Sequence, residues 1–492
     1  MPQFRGQTTV FKGALLSVAM RWTDRLIGLI STLILARLLA PEDFGIIAMA
    51  SLVIGLLGVL LDLGVNVALI QNPQATQAHY DTAWTLRLIQ SGITAALILL
   101  GAPLAGEYFG DARVIPVMQA LSATIVIAGL ENIGVVQFQK HMQFGHDFRF
   151  MFAKRIAGFV ATMLAAWVMQ SYWALVVGTF AGRTLGTLIS YRMHAMRPHL
   201  SFEKLKEIFS VSQWLLIHSS GQYLDANLHK ILVGRRTDSA VLGGYTLADE
   251  ISAMPSTELL APINRALFPA FVAARDNLAE LKRLFLLAQG IQTLVGIPAG
   301  VGLAMVASEA VAVLLGEKWM PAVPFVQVLA LVGAIQAITT SGGYVLITLG
   351  RVSAVALIVW AQIALFLIGA FALIPDADAG ALAAIRLGTV GIGLTVVFVL
   401  LLRNLGNLSL FDIARTINRP LIATGVMAGV LYQLDQTLSM AALPMLAVKI
   451  TLGAIAYALT VVSVWALMGR PEGSESYVSA KAKSLLTARR KQ

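Results

Sequence analysis

The sequence predicts an all-α integral membrane protein of about 14 transmembrane helices, in two six-helix lobes followed by a C-terminal helix pair. Three observations lead there. Hydrophobic residues make up 57% of the 492 and charged residues only 13%. Apolar stretches of membrane-spanning length recur from Ala14 to Met468. Lysine and arginine fall almost entirely on one side of the resulting map.

A soluble domain carries about 25% charged residues, so this chain lacks the polar surface that water requires. Each apolar stretch is near the roughly 20 residues a helix needs to cross the hydrocarbon. Barrel strands would alternate apolar and polar over about 10 residues, whereas runs such as Leu97–Leu100 and Val396–Leu402 are continuous. With no cysteine, thiol chemistry, disulfides and iron–sulfur clusters are excluded. The first stretch, from Ala14 to Leu39, is longer than a signal-peptide core and carries charges, so it is read as a permanent span. The net charge of +10 fits a cation-rich cytoplasmic face drawn to anionic membrane lipids, and no nucleic-acid partner is expected.

Spans are placed at about 14–38, 44–66, 80–104, 114–136, 150–170, 172–193, 211–233, 241–270, 284–308, 321–349, 352–374, 380–402, 420–434 and 441–468. With the N-terminus inside and loops alternating, 23 lysines and arginines lie on the cytoplasmic side, Lys154 and Arg155 among them. Arg37, Arg113, Arg235, Arg236 and Lys318 lie outside. That asymmetry predicts cytoplasmic N- and C-termini. The organisation is then an N-lobe over 1–200, a C-lobe over 201–405, and the last helix pair with a basic tail over 406–492. The segment His194–Ser210 reads as an amphipathic helix on the inner leaflet, with Phe202, Leu205 and Phe209 on one face. A weak repeat pairs Arg37 and Gly45 with Arg236 and Gly244, at the same place in each half. It predicts parallel repeats about a pseudo-two-fold axis, with a polar, cationic substrate cavity between them.

Soluble catalytic signatures are missing. There is no Walker loop and no H-E-x-x-H, and the seven histidines lack metal-ligand spacing, so no catalytic residue, metal or cofactor is expected. The chemistry lies in ionisable residues within spans, each costing about 2.5–3.5 kcal/mol at a helix centre unless paired or wet. In the first span Arg21, Asp24 and Arg25 share one helix face, extended by Ser17 and Gly28. Two cations against one anion suit an anion-binding strip, with Asp24 orienting the arginines; pairing of one arginine and snorkelling of the other is the alternative. Arg265 lies in the eighth span between Pro262 and Pro269, seven residues after Glu258; it reads as a second-lobe contribution to an anion site or as an arginine snorkelling to the inner surface. His218, Gln222, Asp225 and His229 form one polar stripe on the seventh span, suited to sugar hydroxyls or a proton relay through Asp225, and equally to an interhelical seam. Asp62, Glu131, Arg183, Asp249 and Arg386 are read mainly as structural or interfacial charges, with close helix packing at Gly182 and Gly186 around Arg183. Arg87 and Glu250 are further cavity candidates. Gly296, Pro298 and Gly300 in the ninth span allow either a hinge or a close helix contact.

Several segments resemble one family in order and in topological place. They are Leu35-Ala-Arg-Leu-Leu-Ala-Pro-Glu-Asp-Phe-Gly45, Asp62-Leu-Gly with Ala68-Leu-Ile-Gln71, Phe138-Gln-Lys140, Gly244-Tyr-Thr-Leu-Ala248, Arg265-Ala-Leu-Phe-Pro-Ala-Phe271 and Leu315-Gly-Glu-Lys-Trp319. They are similar to the Wzx-type polysaccharide transporters of the multidrug/oligosaccharidyl-lipid/polysaccharide (MOP) superfamily, nearest its colanic-acid and succinoglycan exporter branch. The resemblance implies a MATE-like fold in the bacterial inner membrane. It also implies a flippase, not an enzyme, moving an undecaprenyl-pyrophosphate-linked oligosaccharide by alternating access for exopolysaccharide or lipopolysaccharide synthesis. Polymerase and glycosyltransferase machinery would be partners. Related lipid II flippases carry pyrophosphate-binding arginines where Arg21, Arg25 and Arg265 stand here. The alternatives weighed are an ion-coupled multidrug exporter or lipid II flippase of the same superfamily, and a membrane-embedded glycan polymerase, which the short outer loops disfavour.

Overall fold

A computed structural model describes residues 3–209, 212–255, 259–406, 408–471, 473–477 and 480–481; the side chains of Arg21, His218 and Arg265, and Glu258 altogether, lie outside what is described. The described residues form helices and no strand. The chain divides into two compact units, Met1–Gly243 and Gly244–Gln492.

The first unit runs α1 (Gln3–Leu38), α2 (Pro41–Leu60), α3 (Val65–Gln71), α4 (Gln77–Phe109), α5 (Val114–Gly129), α6 (Val136–Lys140), α7 (Phe144–Met169), α8 (Trp173–Met193), α9 (Leu205–Phe209), α10 (Ser212–Arg236) and the start of α11 (Ser239–Met254). The second completes α11 and adds α12 (Ala261–Ala273), α13 (Leu278–Met305), α14 (Ala307–Leu314), α15 (Val323–Thr348), α16 (Val352–Ile368), α17 (Ala379–Asn404), α18 (Leu410–Thr437) and α19 (Ala442–Leu467). Among the described residues, eight helices are long and apolar enough to cross a membrane, or nine counting the α5 segment with the one that follows its 67° bend.

The family-like segments prove to be helix punctuation. Pro41 opens α2, where a missing N–H costs nothing. Asp43 Oδ2 accepts from the Ala40 N–H at 2.9 Å, and its Oδ1 accepts from the Tyr172 N–H at 2.9 Å, so one carboxylate caps α2 and holds the start of α8. Asp62 accepts from the Gly64 N–H at 2.9 Å in a turn where Gly64 takes φ +61°, a conformation glycine adopts without strain. A buried Trp319 anchors the turn at Gly316, where φ is +105°.

Gly45, one of the repeat positions, meets α11 through Gly243, the neighbour of its repeat partner Gly244. A Cβ on Gly45 would run into the Ser239 carbonyl, and one on Gly243 into the Pro41 carbonyl. The beginnings of α2 and α11 thus seat on each other through bare backbone.

In lipid, helices gain little from apolar burial against one another, so close backbone approach carries the association. Gly158, Gly178 and Gly182 do this for α7 on α8, and Gly186 leaves room for the Lys154 stem. Arg183 points outward from that contact and is exposed. Gly296 and Gly300 meet Ala337 and Ala334 of α15 at 2.9 and 2.6 Å from a built Cβ, so a close helix contact accounts for these ninth-span glycines.

Within the eighth span, helix is described over α11 and over α12, with Pro262 at the start of the second, and residues 256–258 between them lie outside what is described. One expectation changes. The stretch after α8 is mostly extended, with helix only at Leu205–Phe209. Its backbone is drawn onto α4 instead: the His199, Ser201 and Lys204 N–H groups donate to Asp81, Thr85 and Thr82 at 3.0, 2.9 and 3.2 Å. These side-chain acceptors outcompete a helical ladder. Ile208 is buried among Leu69, Tyr80 and Leu86, while Leu200, Phe202 and Leu205 remain exposed.

Candidate functional site

Asp24 of α1 and Arg155 of α7 form an ion pair, Oδ1 to Nε 3.1 Å. At 1.5 Å per residue each lies about 21 Å from the C-terminal end of its helix, within a hydrocarbon core of about 30 Å. Yet the carboxylate side chain is 63% exposed and the guanidinium side chain 46%. Charges within a span are costly unless paired or wet, and this pair lies exposed on the face that α1 and α7 share. The fold makes room for the pair: a Cβ on Gly28, one turn above Asp24, would lie 2.8 Å from Arg155 Nη2. An adjoining pocket of about 200 Å³ is lined by Met20, Thr23, Ile27, Phe148, Met151 and Phe152 with the ion pair itself. Phe148 and Phe152 stack at 5.6 Å, 10° from parallel.

The sequence pattern places Arg155 on the cytoplasmic side. It lies about three turns inside α7 because that helix starts at Phe144, well before the apolar run. Its neighbour Lys154 faces another way, into the packed interior. There Glu131, almost fully buried, accepts from Lys154 Nζ at 2.5 Å and from Arg87 Nη2 at 3.3 Å, and Arg87 also donates to the Ala128 carbonyl at 3.0 Å. The arrangement gives Arg87 a structural partner. Consecutive cations on one helix, about 100° apart, therefore do different work.

The remaining candidates are spread. Arg25 is half-buried beside Asp24, one position along the same helix. Gln222 is exposed on α10 and Asp225 half-buried, whereas His229 is buried with its Nε2 3.0 Å from the Ala226 carbonyl of its own helix. Glu250 is half-buried on α11. Arg21 and Arg265 have described backbones only.

Unit 2 holds charges that sequence reasoning passed over. Lys449 of α19 is buried with Nζ 2.6 Å from both Glu309 Oε1 and Asp435 Oδ1. Arg419 of α18 pairs with Glu475 at 3.2 Å, both side chains 5% exposed. Lys449 and Glu309, and Arg419 and Glu475, are far apart in the chain; no local pattern marks them, beyond a lysine in the middle of an apolar span. Among the described residues no group of three metal-ligating side chains converges.

Outside the spans, Asp111 sits between α4 and α5, where hydrogen bonds from Arg113 hold its carboxyl below the usual carboxylate range. Arg113 also donates to Ser239 Oγ at 3.1 Å, close to the seat of Gly45.

The chain superposes on solved transporters. The lipid II flippase MurJ, in an inward closed conformation, aligns with a TM-score of 0.74 at 12% identity, covering 93% of this chain and all of that one. An inward-facing multidrug-resistance MATE transporter of the MOP superfamily aligns with a TM-score of 0.60 at 15% identity, covering 78% and 96%. The chain thus shares the fold of these two multi-pass membrane proteins. In sequence, the lipopolysaccharide biosynthesis protein WzxC of Escherichia coli is 25% identical over 66% of this chain and 67% of its own length. The teichuronic acid biosynthesis protein TuaB of Bacillus subtilis is 25% identical over 60% and 62%. The succinoglycan biosynthesis transport protein ExoT of Rhizobium meliloti is 23% identical over 61% of each. The matched region thus spans about two thirds of each relative. The profile of one family, described as polysaccharide biosynthesis protein, covers residues 34–324, more than half of the sequence, and the chain belongs to that family.

Proposed function

We propose that this protein is a flippase that carries a polyprenyl-pyrophosphate-linked oligosaccharide from the inner to the outer leaflet of the bacterial inner membrane. Translocation proceeds by alternating access, with Arg21, Arg25 and Arg265 receiving the pyrophosphate and polar side chains such as Gln222 and Asp225 receiving sugar hydroxyls. The observation that carries the reading is the half-exposed Asp24–Arg155 pair between α1 and α7, which supports a wet, cation-rich wall next to the α1 arginines. An anionic linker and hydroxyl-rich sugars suit such a wall, while a polyprenyl tail stays in lipid. Export of about two negative charges is helped by an inside-negative potential, by roughly 4–5 kcal/mol at 100 mV. Cytoplasmic termini and a basic inner face would gather the anionic headgroup and anionic lipids, and glycosyltransferases and a polymerase would act before and after it.

Export assays in cells lacking the native flippase test the proposal. Arg21→Ala and Arg25→Ala should each abolish polymer export while membrane insertion and abundance stay normal. Wild-type export from both variants would sink it. A cation-exporting relative is disfavoured by the excess of arginine over carboxylate on α1 and α7, and unchanged drug tolerance on overexpression is the expected result.

A further inference from the structure

The geometry points to Asp24 as a resident counter-ion: it holds Arg155 until the substrate's diphosphate takes its place, making Arg155 a direct ligand of the anion. This rests on the flippase reading above. It adds a ligand residue from α7, and a role for the one carboxylate in an otherwise cationic strip.

Four observations converge. First, both partners are substantially exposed, 63% and 46% for their side chains. Exposed ion pairs are weak because water screens them and two side chains must be held still. The planar fork of arginine meets two phosphate oxygens at once as readily as two carboxylate oxygens, and a diphosphate brings more negative charge. A diphosphate can therefore compete with the carboxylate for this guanidinium.

Second, the guanidinium is pre-positioned by backbone as well as by charge. Gly28 leaves the slot that Nη2 occupies beside α1, so Arg155 stays near the strip after Asp24 lets go. Third, the pair opens directly onto the pocket of about 200 Å³ whose walls include Met20, Ile27, Met151 and the stacked Phe148 and Phe152. The pocket gives an incoming anion room beside the guanidinium.

Fourth, the contrast with the neighbouring cation is informative. Lys154 is neutralised by a buried carboxylate on a packed interface, which is what a structural pair looks like. Arg155, one residue later, has its carboxylate on the exposed face instead. A pair meant to stay closed would gain from being sealed; this one is open to exchange.

The test measures binding of undecaprenyl diphosphate, and separately of inorganic pyrophosphate, to the full-length protein in lipid nanodiscs. Arg155→Gln should weaken binding about tenfold. Asp24→Asn should tighten it about three- to tenfold, because the internal competitor is gone while the side-chain volume is kept. The gain should vanish in the Asp24→Asn, Arg155→Gln double variant. Gly28→Ala, which pushes the guanidinium out of its slot without changing charge, should weaken binding in a protein of unaltered melting temperature. Tightening towards both probes assigns the effect to the anion itself; tightening towards the lipid alone assigns it to an anion delivered by its tail. Weaker or unchanged binding in Asp24→Asn would mean that the carboxylate orients Arg155, and would overturn the proposal while leaving the flippase reading intact. If the wild type binds neither probe, the flippase reading fails and takes this inference with it.

Discussion

The Glu131 carboxylate is shared between two cations, with Oε2 2.5 Å from Lys154 Nζ and Oε1 3.3 Å from Arg87 Nη2. The three residues come from α4, the bend after α5, and α7, so the cluster pins three helices at one depth. Its two positive charges answer one negative charge that is almost fully buried. Glu131→Gln removes that negative charge, leaves both cations uncompensated and should cost about 3 kcal/mol or more, since uncompensated charges in a packed site are costly. Thermal unfolding of the purified protein measures it. Lys154→Met, which still leaves Glu131 paired with Arg87, should cost less.

Lys449 offers a comparable case in the second unit. Its ammonium reaches Glu309, Asp435 and, at 3.4 Å, the Met305 carbonyl. Replacement by methionine should destabilise the protein by about 3 kcal/mol, because Glu309 loses its cation in a poorly solvated site. Asp435, with a side chain 35% exposed, should matter less, with Asp435→Asn costing about 1 kcal/mol. The order of the two melting temperatures checks the assignment.

Glycines divide sharply into those that backbone contact requires and those it does not. Gly45→Ala and Gly243→Ala place a methyl group against the carbonyls of Ser239 and Pro41 and should lower stability and export together. Gly58→Ala and Gly92→Ala, where no atom lies within 4 Å of the new carbon, should be tolerated and add helix propensity. Parallel export and melting measurements on the four variants would separate the classes.

The strap that follows α8 should loosen at acid pH at its Glu207 end, where the His79 contact joins it to α4. Glu207 accepts from Lys204 at 2.9 Å and lies 2.9 Å from His79 Nε2; these hydrogen bonds, that from Lys204 foremost, hold its carboxyl below the ordinary glutamate range. A lowered pKa means the stabilisation is present at neutral pH and is lost as pH falls below the ordinary glutamate value through the lowered one. The chain has no cysteine, so a spin label at Phe202→Cys reports the strap alone. Its mobility should rise on acidification, and at neutral pH in Asp81→Ala, where the acceptor for the His199 N–H is gone.

The all-α, membrane-spanning class was legible because hydropathy and length are local properties: a run of about 20 apolar residues has one stable answer in lipid. The short recognisable segments were legible for a similar reason. Pro41, Asp43, Asp62 and Gly64 act within a few residues of themselves, on helix starts and turns. The polar stripe on α10 was legible as a periodicity, but not the division within it, where His229 is buried and Gln222 exposed.

Partnerships were not legible. Asp24 has Arg21 and Arg25 as near neighbours in sequence, and nothing in that spacing points to its contact with Arg155 on another helix. Lys154 and Arg155 look alike in a string of letters, and one extra stretch of helix before the apolar run carries both into the span. Composition and period bind the chain to a membrane and settle which faces are greasy, because each residue answers to solvent on its own. Which charge meets which, and whether the pair is sealed or wet, depends on rotations and crossings of whole helices, and those are resolved only when all of them pack at once.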